Sequence, residues 1–185
     1  MRDPATTLVI AIAAMACLTM IAEVHAQEPQ KLSDRHKAMV PIAAFTGSGN
    51  MPKLEAALTE GMEAGLTVNE IKEILVHTYA YAGFPRALNG INTYMAVMAG
   101  RKEKGIIDND GKAATPMPAG FDRTAHGHEV RNRLGGRDIS NRTSGYSVFT
   151  PVIDQFLVNH LFGEIFSRDV LSHRDRELAT ISILA

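Results

Sequence analysis

The chain has 185 residues, of which 45% are hydrophobic, 21% charged and 6% aromatic, and its formal net charge is −1. This composition is that of an ordinary globular protein, which excludes a disordered chain, a collagen and a coiled coil. The near-neutral charge gives no support to a nucleic-acid-binding surface, so we expect no nucleic acid among the partners. A single cysteine cannot form an intramolecular disulfide or a thiolate metal cluster, and we expect neither a metal nor a cofactor.

Residues 1–26 have the features of a secretory signal peptide. The uncharged run 8–22 is shorter than the roughly 20 residues that a membrane span needs, and Val24-His25-Ala26 places small residues where a signal peptidase cuts. We therefore expect cleavage after Ala26, a secreted or periplasmic location, and no stable membrane span after cleavage. A lipoprotein cut before Cys17 and an uncleaved anchor are the alternatives.

Helices are predicted throughout a first domain, residues 27–104. Ser33 has the character of an N-cap, Thr67 and Glu70 form a capping-box pattern, and Gly65 and Gly83 have the position of helix ends. The predicted helices cover 36–45 (kinked or limited by Pro41), 51–64, 68–82 and 86–104.

Residues 105–145 are rich in glycine and proline and are predicted to be a connector with one short helix near 128–134. An amphipathic helix follows over 150–166, and a last helix starts at Ser172. Residues 32–46 align with 171–185 at a constant offset, which predicts a tandem repeat. We therefore expect residues 146–185 to begin a second, truncated copy of the domain, with an uncovered apolar end that favours a homo-oligomer.

The third predicted helix is the richest candidate for chemistry. Glu70, His77 and Tyr81 share a flank of its apolar face, and Glu73 precedes His77 by one turn. A carboxylate four residues from a histidine suits general acid–base catalysis on a small substrate. The alternative is that Glu70 only caps the helix and that Glu73 and His77 are an ordinary exposed pair. The flank position predicts that His77 fills little core volume.

The corner that follows is a candidate substrate-binding element. Gly83-Phe84-Pro85 places Arg86 and Asn89 near a helix N-terminus, where an anion such as a substrate carboxylate is favoured. A local capping role for the arginine is the alternative. The remaining histidines are predicted to be surface or satisfied polar residues. His126 and His128 fall in a predicted solvated loop, where a metal held with Asp122 is the alternative, and His36, His160 and His173 have no companion in the sequence.

Two stretches, 65–91 and 160–185, resemble the carboxymuconolactone decarboxylase family. The first carries the phrase G-L-T-x-x-E-I-x-E-x-L-x-H-x-x-x-Y-x-G-x-P, and the second resembles the opening of another such domain. The resemblance implies an all-α helical bundle of the carboxymuconolactone decarboxylase and alkyl hydroperoxidase-like kind, and an oligomer. It also implies one of two activities, decarboxylation of lactone acids or reduction of alkyl hydroperoxides.

The hydroperoxidase branch of that family uses a C-x-x-C pair followed by a histidine. In this sequence the two cysteine positions hold Asn50 and Lys53, and the histidine position holds Ala57. Cleavage after Ala26 would also remove Cys17, so a thiol peroxidase of the peroxiredoxin kind is disfavoured. The motif also has an upstream glutamate, whose position falls near Ala38 in the first copy and is retained as Glu177 in the second.

We therefore expect decarboxylase-like proton-transfer chemistry on a small carboxylated or lactone substrate. Glu73 and His77 would move protons, Tyr81 would donate or accept a hydrogen bond, and Arg86 with Asn89 would hold the carboxylate. The alternatives are a non-catalytic helical module that oligomerises or binds a small molecule, and a hydroperoxidase-like antioxidant.

Overall fold

Helices make up all the regular secondary structure in the described part of the chain. The computed structural model describes residues 31–139 and 144–185, and no strand occurs among them. The all-α class expected from the sequence is confirmed. Residues 1–26, the predicted signal peptide, lie outside the described residues.

Seven α-helices and one π-helix are described. They are α1 (Asp34–Ser48), α2 (Met51–Glu63), α3 (Val68–Glu103), α4 (Arg123–Gly135), α5 (Tyr146–Phe149), α6 (Pro151–Phe156), the π-helix (Leu157–Ile165) and α7 (His173–Leu184).

Short-range capping fixes where the helices begin. The Ser33 side chain accepts a hydrogen bond from the backbone N–H of His36 at the start of α1. Thr67 and Glu70 form a complete capping box at α3, as the sequence predicted. A second capping box, Ser172 with Asp175, opens α7.

A glycine and a proline lie inside the long helices and have different effects. Gly83 has φ 79° and ψ 167°, a conformation that breaks α3 into two helical segments at the residue where the sequence predicted an end. Pro41, by contrast, does not end α1, which continues to Ser48 and closes on Gly49 in the left-handed conformation.

The core lies between α1, α2, α3 and α7. Within Ser33–Ala185, which forms one compact unit, α7 packs on both α1 and α3. The two helices of the predicted repeat, α1 and α7, therefore contact each other directly. The buried apolar residues include Met39, Ile42, Leu54, Leu58, Ile71, Ile74, Leu75, Tyr94 and Ala179.

A second packing layer joins α4 to the π-helix. A Cβ on Gly127 would lie 2.0 Å from the carbonyl oxygen of Val158, and one on Gly163 would lie 2.4 Å from that of Arg123. Only glycine allows the two backbones to approach so closely. The short helix predicted near 128–134 is thus confirmed but starts earlier, and the amphipathic helix predicted over 150–166 is divided into α6 and the π-helix.

The connector after α3 is tied to the rest of the protein. The carbonyl oxygens of Asn109 and Asp110 accept hydrogen bonds from the first backbone N–H groups of α3. Further along, Asp169 accepts from the backbone and side chain of Thr115 and pairs with Lys112. The connector therefore forms a wall beside α3. Across the described helices, none is long and apolar enough to cross a membrane.

Candidate functional site

A cleft of about 860 Å³ lies between α3, the connector and residues 168–170. Most of its lining is apolar and comes from both segments of α3. The polar groups in the lining are Asn69, Lys72, Glu73, Asp110 and Arg168. Small-molecule sites commonly have this character, a mainly apolar wall with a few polar groups that fix the ligand's orientation.

Glu73 is the centre of a buried ion-pair network in this cleft. Arg168 donates from Nε to both carboxylate oxygens, at 2.9 and 3.0 Å, and also from Nη2. Arg176 donates from Nη2 to the Glu73 carboxylate at 3.1 Å and to the carbonyl oxygen of Arg168 at 2.7 Å. Glu73 is 3% exposed and Arg176 is 0% exposed, so the network is nearly closed to solvent on the α7 side.

The network places two guanidinium groups on the Glu73 carboxylate. Burial raises the pKa of Glu73, but the hydrogen bonds and charges of Arg168 and Arg176 outweigh burial and hold that pKa below its usual value. One carboxylate therefore faces two guanidinium groups. The charge of Asp169 also acts on Arg168, and that of Asp175 acts on Arg176. Arg168 is the partly exposed member of the network, so its guanidinium group is the one that a ligand carboxylate could contact.

His77 lies behind Glu73 and is fully buried. Its Nε2 is 2.9 Å from the hydroxyl oxygen of Thr180, and that hydroxyl donates its hydrogen to the carbonyl oxygen of Arg176. Because the Thr180 oxygen is then left to accept, Nε2 of His77 carries the ring hydrogen. Nδ1 is a bare acceptor with no hydrogen-bond partner among the described residues.

The environment of His77 keeps its ring neutral. Burial, and then the charge of Arg176, lower the pKa of His77 from 6.5 to about 4. Its ring packs against Tyr81 at 5.1 Å and Phe166 at 5.3 Å between centroids. The alternative of an ordinary exposed Glu73–His77 pair is wrong, as is the expectation that His77 fills little core volume, because α7 covers this flank.

Tyr81 and Glu70 are the two other residues of α3 that the sequence placed on the same flank as His77. Burial raises the pKa of Tyr81, whose hydroxyl interacts with Thr180. Glu70 is bound to Thr67 in the capping box and to Arg35 of α1, with Nη2 at 2.6 Å. Glu70 thus supports the helix start, while Tyr81 contacts His77.

Arg86 and Asn89 are both exposed and neither lines the cleft. The Arg86 guanidinium lies against Gly49, where a Cβ would be 1.3 Å from Nη1. This places a cation at the C-terminal end of α1, as the helix dipole favours. The structure therefore does not bring Arg86 together with Glu73 and His77.

The arginines that do reach Glu73 were missed by sequence reasoning. Arg168 lies in the break predicted before the last helix, and Arg176 lies in that helix. Both fall in the 160–185 stretch that carries the second resemblance. That resemblance was the available signal, because it marks the stretch as part of a related domain.

A second cleft of about 360 Å³ adjoins the first, since Val76, Ala114 and Arg168 line both. The π-helix contributes His160 and Glu164, whose side chains are hydrogen bonded to each other through Nδ1 of the imidazole. The expectation that His160 has no companion is therefore wrong.

The other histidine pair also differs from expectation. His126 and His128 lie in α4 rather than in a loop. Among residues 31–139 and 144–185, no group of three or more histidine, cysteine or acidic side chains has the arrangement of a metal site.

The fold and site define an all-helical protein with a cleft whose wall is mostly apolar and contains a few charged side chains. Residues 13–93 match the model of the carboxymuconolactone decarboxylase family, the family that the sequence resembles. The match begins inside the predicted signal peptide and includes Glu73, His77 and Arg86, but not Arg168 or His160. No curated protein matches the chain.

The positions of the hydroperoxidase motif hold structural residues. The side chain of Asn50 accepts from the backbone N–H of Lys53 and caps α2. Ala57 is 3% exposed in the core. These positions stabilise α2 and offer no sulfur nucleophile.

Proposed function

We propose that the protein binds a small carboxylated or lactone substrate in the Glu73 cleft and carries out decarboxylase-like proton-transfer chemistry on it. One observation carries this proposal: Arg168 is held by Glu73 at the edge of a largely apolar cleft, with part of its guanidinium group open to a ligand. In such surroundings a substrate carboxylate gains a strong charge-assisted contact.

Arg168 is the proposed carboxylate-binding residue. Its side chain is 42% exposed, so part of the guanidinium is open to a ligand while Glu73 holds the rest. This arrangement fixes the donor geometry before the substrate arrives, which reduces the entropic cost of binding. We give Arg168 the role that the sequence suggested for Arg86.

On α3, Glu73 and His77 are the proposed proton-transfer groups and Tyr81 is the proposed hydrogen-bonding group. Glu73 lines the cleft directly, whereas His77 lies behind it and is linked to it through Thr180 and Arg176. The neutral His77 ring presents Nδ1 as a base in this second layer.

The proposal is tested with 5-oxo-2,5-dihydrofuran-2-acetic acid, a small lactone acid, as the probe. We expect the full chain to bind it in isothermal titration calorimetry, and Arg168→Gln to weaken binding by about tenfold or more, since a charge-assisted hydrogen bond is lost. Arg86→Gln is the matched control and should bind like the wild type. Weaker binding in Arg86→Gln with unchanged binding in Arg168→Gln would place the carboxylate site elsewhere.

A second candidate, assembly into a homo-oligomer, is favoured by one surface. α5 and α6 have no buried residue, and large apolar side chains project from them, with Phe149 at 91% and Phe156 at 62% exposed. Apolar patches of this kind commonly mark protein–protein contacts. We propose a second copy of the chain as the partner. Sedimentation should show that Phe149→Ser with Phe156→Ser associates less than the wild type, and equal association would contradict this.

We also propose a secreted or periplasmic location, supported by the pattern of residues 1–26. In an exporting bacterial host, the intact mass of the recovered protein should correspond to a chain that begins at Gln27. Recovery of the uncut chain from the cytoplasm would contradict export.

A further inference from the structure

The π-helix contains a histidine–carboxylate pair that the chemistry described so far does not use. Leu157–Ile165 has π-helical geometry over its whole length. π-Helical turns are rare in proteins, and those that occur are often found at functional sites. His160 and Glu164 project from it into the smaller cleft.

The hydrogen bonds determine which ring nitrogen of His160 is available. Nδ1 of His160 is hydrogen bonded to one carboxylate oxygen of Glu164, and the other oxygen is ion-paired with Nε of Arg123. An ionised carboxylate only accepts, so Nδ1 donates its hydrogen to Glu164. Nε2 is therefore the nitrogen left for proton exchange with a ligand.

The ring of His160 is held from a second direction as well. It lies 5.5 Å from the ring of Tyr79, which in turn stacks on Phe84 at 4.2 Å between centroids. With the Glu164 hydrogen bond, this contact orients the imidazole. The side chain remains 44% exposed, so Nε2 can reach a ligand, in contrast to the enclosed His77.

Arg168 connects this pair to the Glu73 cleft. It lines both clefts, as do Val76 and Ala114 between them. A small molecule whose carboxylate binds Arg168 can therefore extend toward Glu73 on one side and toward His160 on the other. The charged groups around the His160 imidazole are Glu164, Arg123 and Arg168.

We propose that His160 is a general base and acid of this site and that Glu164 is its positioning residue. Nε2 takes a proton from a C–H bond conjugated with the substrate carbonyl, which in the lactone acid is the ring C–H that carries the acetate arm, and the bonding electron pair is delocalised onto the carbonyl oxygen as a dienolate. Arg168 stabilises that negative charge, and Glu164 stabilises the imidazolium. The proton then returns from Nε2 to a carbon of the substrate, so no electron acceptor is needed.

This inference rests on the proposed function for the placement of the substrate at Arg168. It goes beyond it by adding a proton-transfer residue that lies outside the family-matched segment. The test therefore measures binding and proton exchange separately on the same samples.

The experiment follows hydrogen–deuterium exchange of the lactone acid in D₂O by proton NMR, with binding measured by calorimetry. We expect the full chain to accelerate exchange. His160→Gln should lower the exchange rate at least tenfold, because general base catalysis contributes about 10²–10⁴, and should leave binding unchanged. His126→Gln is the matched control, since His126 also has a glutamate on the next helical turn but lies outside both clefts.

Glu164 is tested by the pH profile of the exchange rate. In Glu164→Gln the low-pH limb of the profile should move to lower pH, because the imidazolium loses its stabilising carboxylate, and Glu164→Asp should restore the limb in part. A purely structural role for Glu164 would lower the rate without moving the limb, and would overturn the positioning assignment.

Protection from modification gives a readout besides activity. Diethyl pyrocarbonate should modify both His160 and His126, and the lactone acid should slow the reaction only at His160. Exchange that is unchanged in His160→Gln, or equal protection of both histidines, would overturn this inference alone. Absence of any binding by the wild type would overturn the proposed function, and this inference with it.

Discussion

Glu73 is the neutralising partner of an arginine that has no contact with solvent. Arg176 is 0% exposed, its Nε and Nη1 have no hydrogen-bond partner among the described residues, and its Nη2 binds Glu73. Substitution of Glu73 by glutamine keeps the volume but removes the charge. The buried guanidinium of Arg176 then loses its ion-pair partner and keeps only the charge interaction with Asp175, so we expect Glu73→Gln to destabilise the fold strongly.

The magnitude follows from the burial of the two arginines. Removal of one partner of a buried ion pair costs about 3–5 kcal/mol, whereas an exposed pair contributes about 0–1 kcal/mol. Arg168 is 42% exposed and therefore accounts for the smaller part. We expect a loss of about 3 kcal/mol or more in the free energy of unfolding, mostly through Arg176.

A double variant separates this explanation from simple loss of packing. Arg176→Met removes the buried charge itself, so Glu73→Gln combined with Arg176→Met should be more stable than the sum of the two single losses predicts. Neighbouring residues in one network typically show coupling of about 0.5–3 kcal/mol. Urea unfolding followed by circular dichroism at pH 7 measures all three variants.

Glu70→Gln is the matched control, because Glu70 is also an α3 glutamate that pairs with an arginine. Its partner Arg35 has a side chain that is 28% exposed, and Glu70 also closes the capping box. We expect a loss of about 1 kcal/mol, the usual value of a helix cap. Equal losses for Glu73→Gln and Glu70→Gln, or strict additivity in the double variant, would refute the role given to Glu73.

Three further predictions concern pH, packing and redox chemistry. The pKa of His77 falls from 6.5 to about 4 on folding, so the folded state binds fewer protons than the unfolded state between these pH values. The free energy of unfolding should therefore decline by up to about 3 kcal/mol as the pH drops from 6.5 to 4. His77→Gln should remove this pH dependence in urea unfolding. Gly127→Ala should cost about 1–3 kcal/mol through its clash with Val158, whereas Gly135→Ala in the same helix, with open space around it, should not destabilise in the same assay. The chain cut after Ala26 contains no cysteine and should therefore show no thiol-dependent peroxidase activity with a dithiol reductant. Peroxide turnover by this chain would contradict the view that a peroxidase activity here needs a thiol.

The helix boundaries were predictable because short-range chemistry sets them. A capping box involves residues three positions apart, so Thr67 and Glu70 show it in the sequence itself. Gly83 likewise breaks α3 through its own backbone conformation. Pro41 shows the limit of such rules, since α1 packs on several helices and continues through it.

The site was less predictable because its contacts join distant parts of the chain. Arg168 and Arg176 follow Glu73 by 95 and 103 residues, and no helical period reports such a pairing. A helical wheel placed His77 on a flank of the apolar face, but the wheel describes one helix only. The packing of α7 turned that flank into an interior surface, with Thr180 over the imidazole.

Charge balance ties the two halves of the site to each other. Without α7, Glu73 would lose Arg176, and without Glu73 the enclosed Arg176 would lose its ion-pair partner. The segment that matches the family supplies the carboxylate, and the later residues supply both guanidinium groups and the pair on the π-helix. The later residues supply the positive charge, and Glu73 fixes the orientation of Arg168 that the proposed binding of a carboxylate requires. Activity and binding therefore have to be measured on a chain that contains both, because the family-matched segment carries only one half of the chemistry.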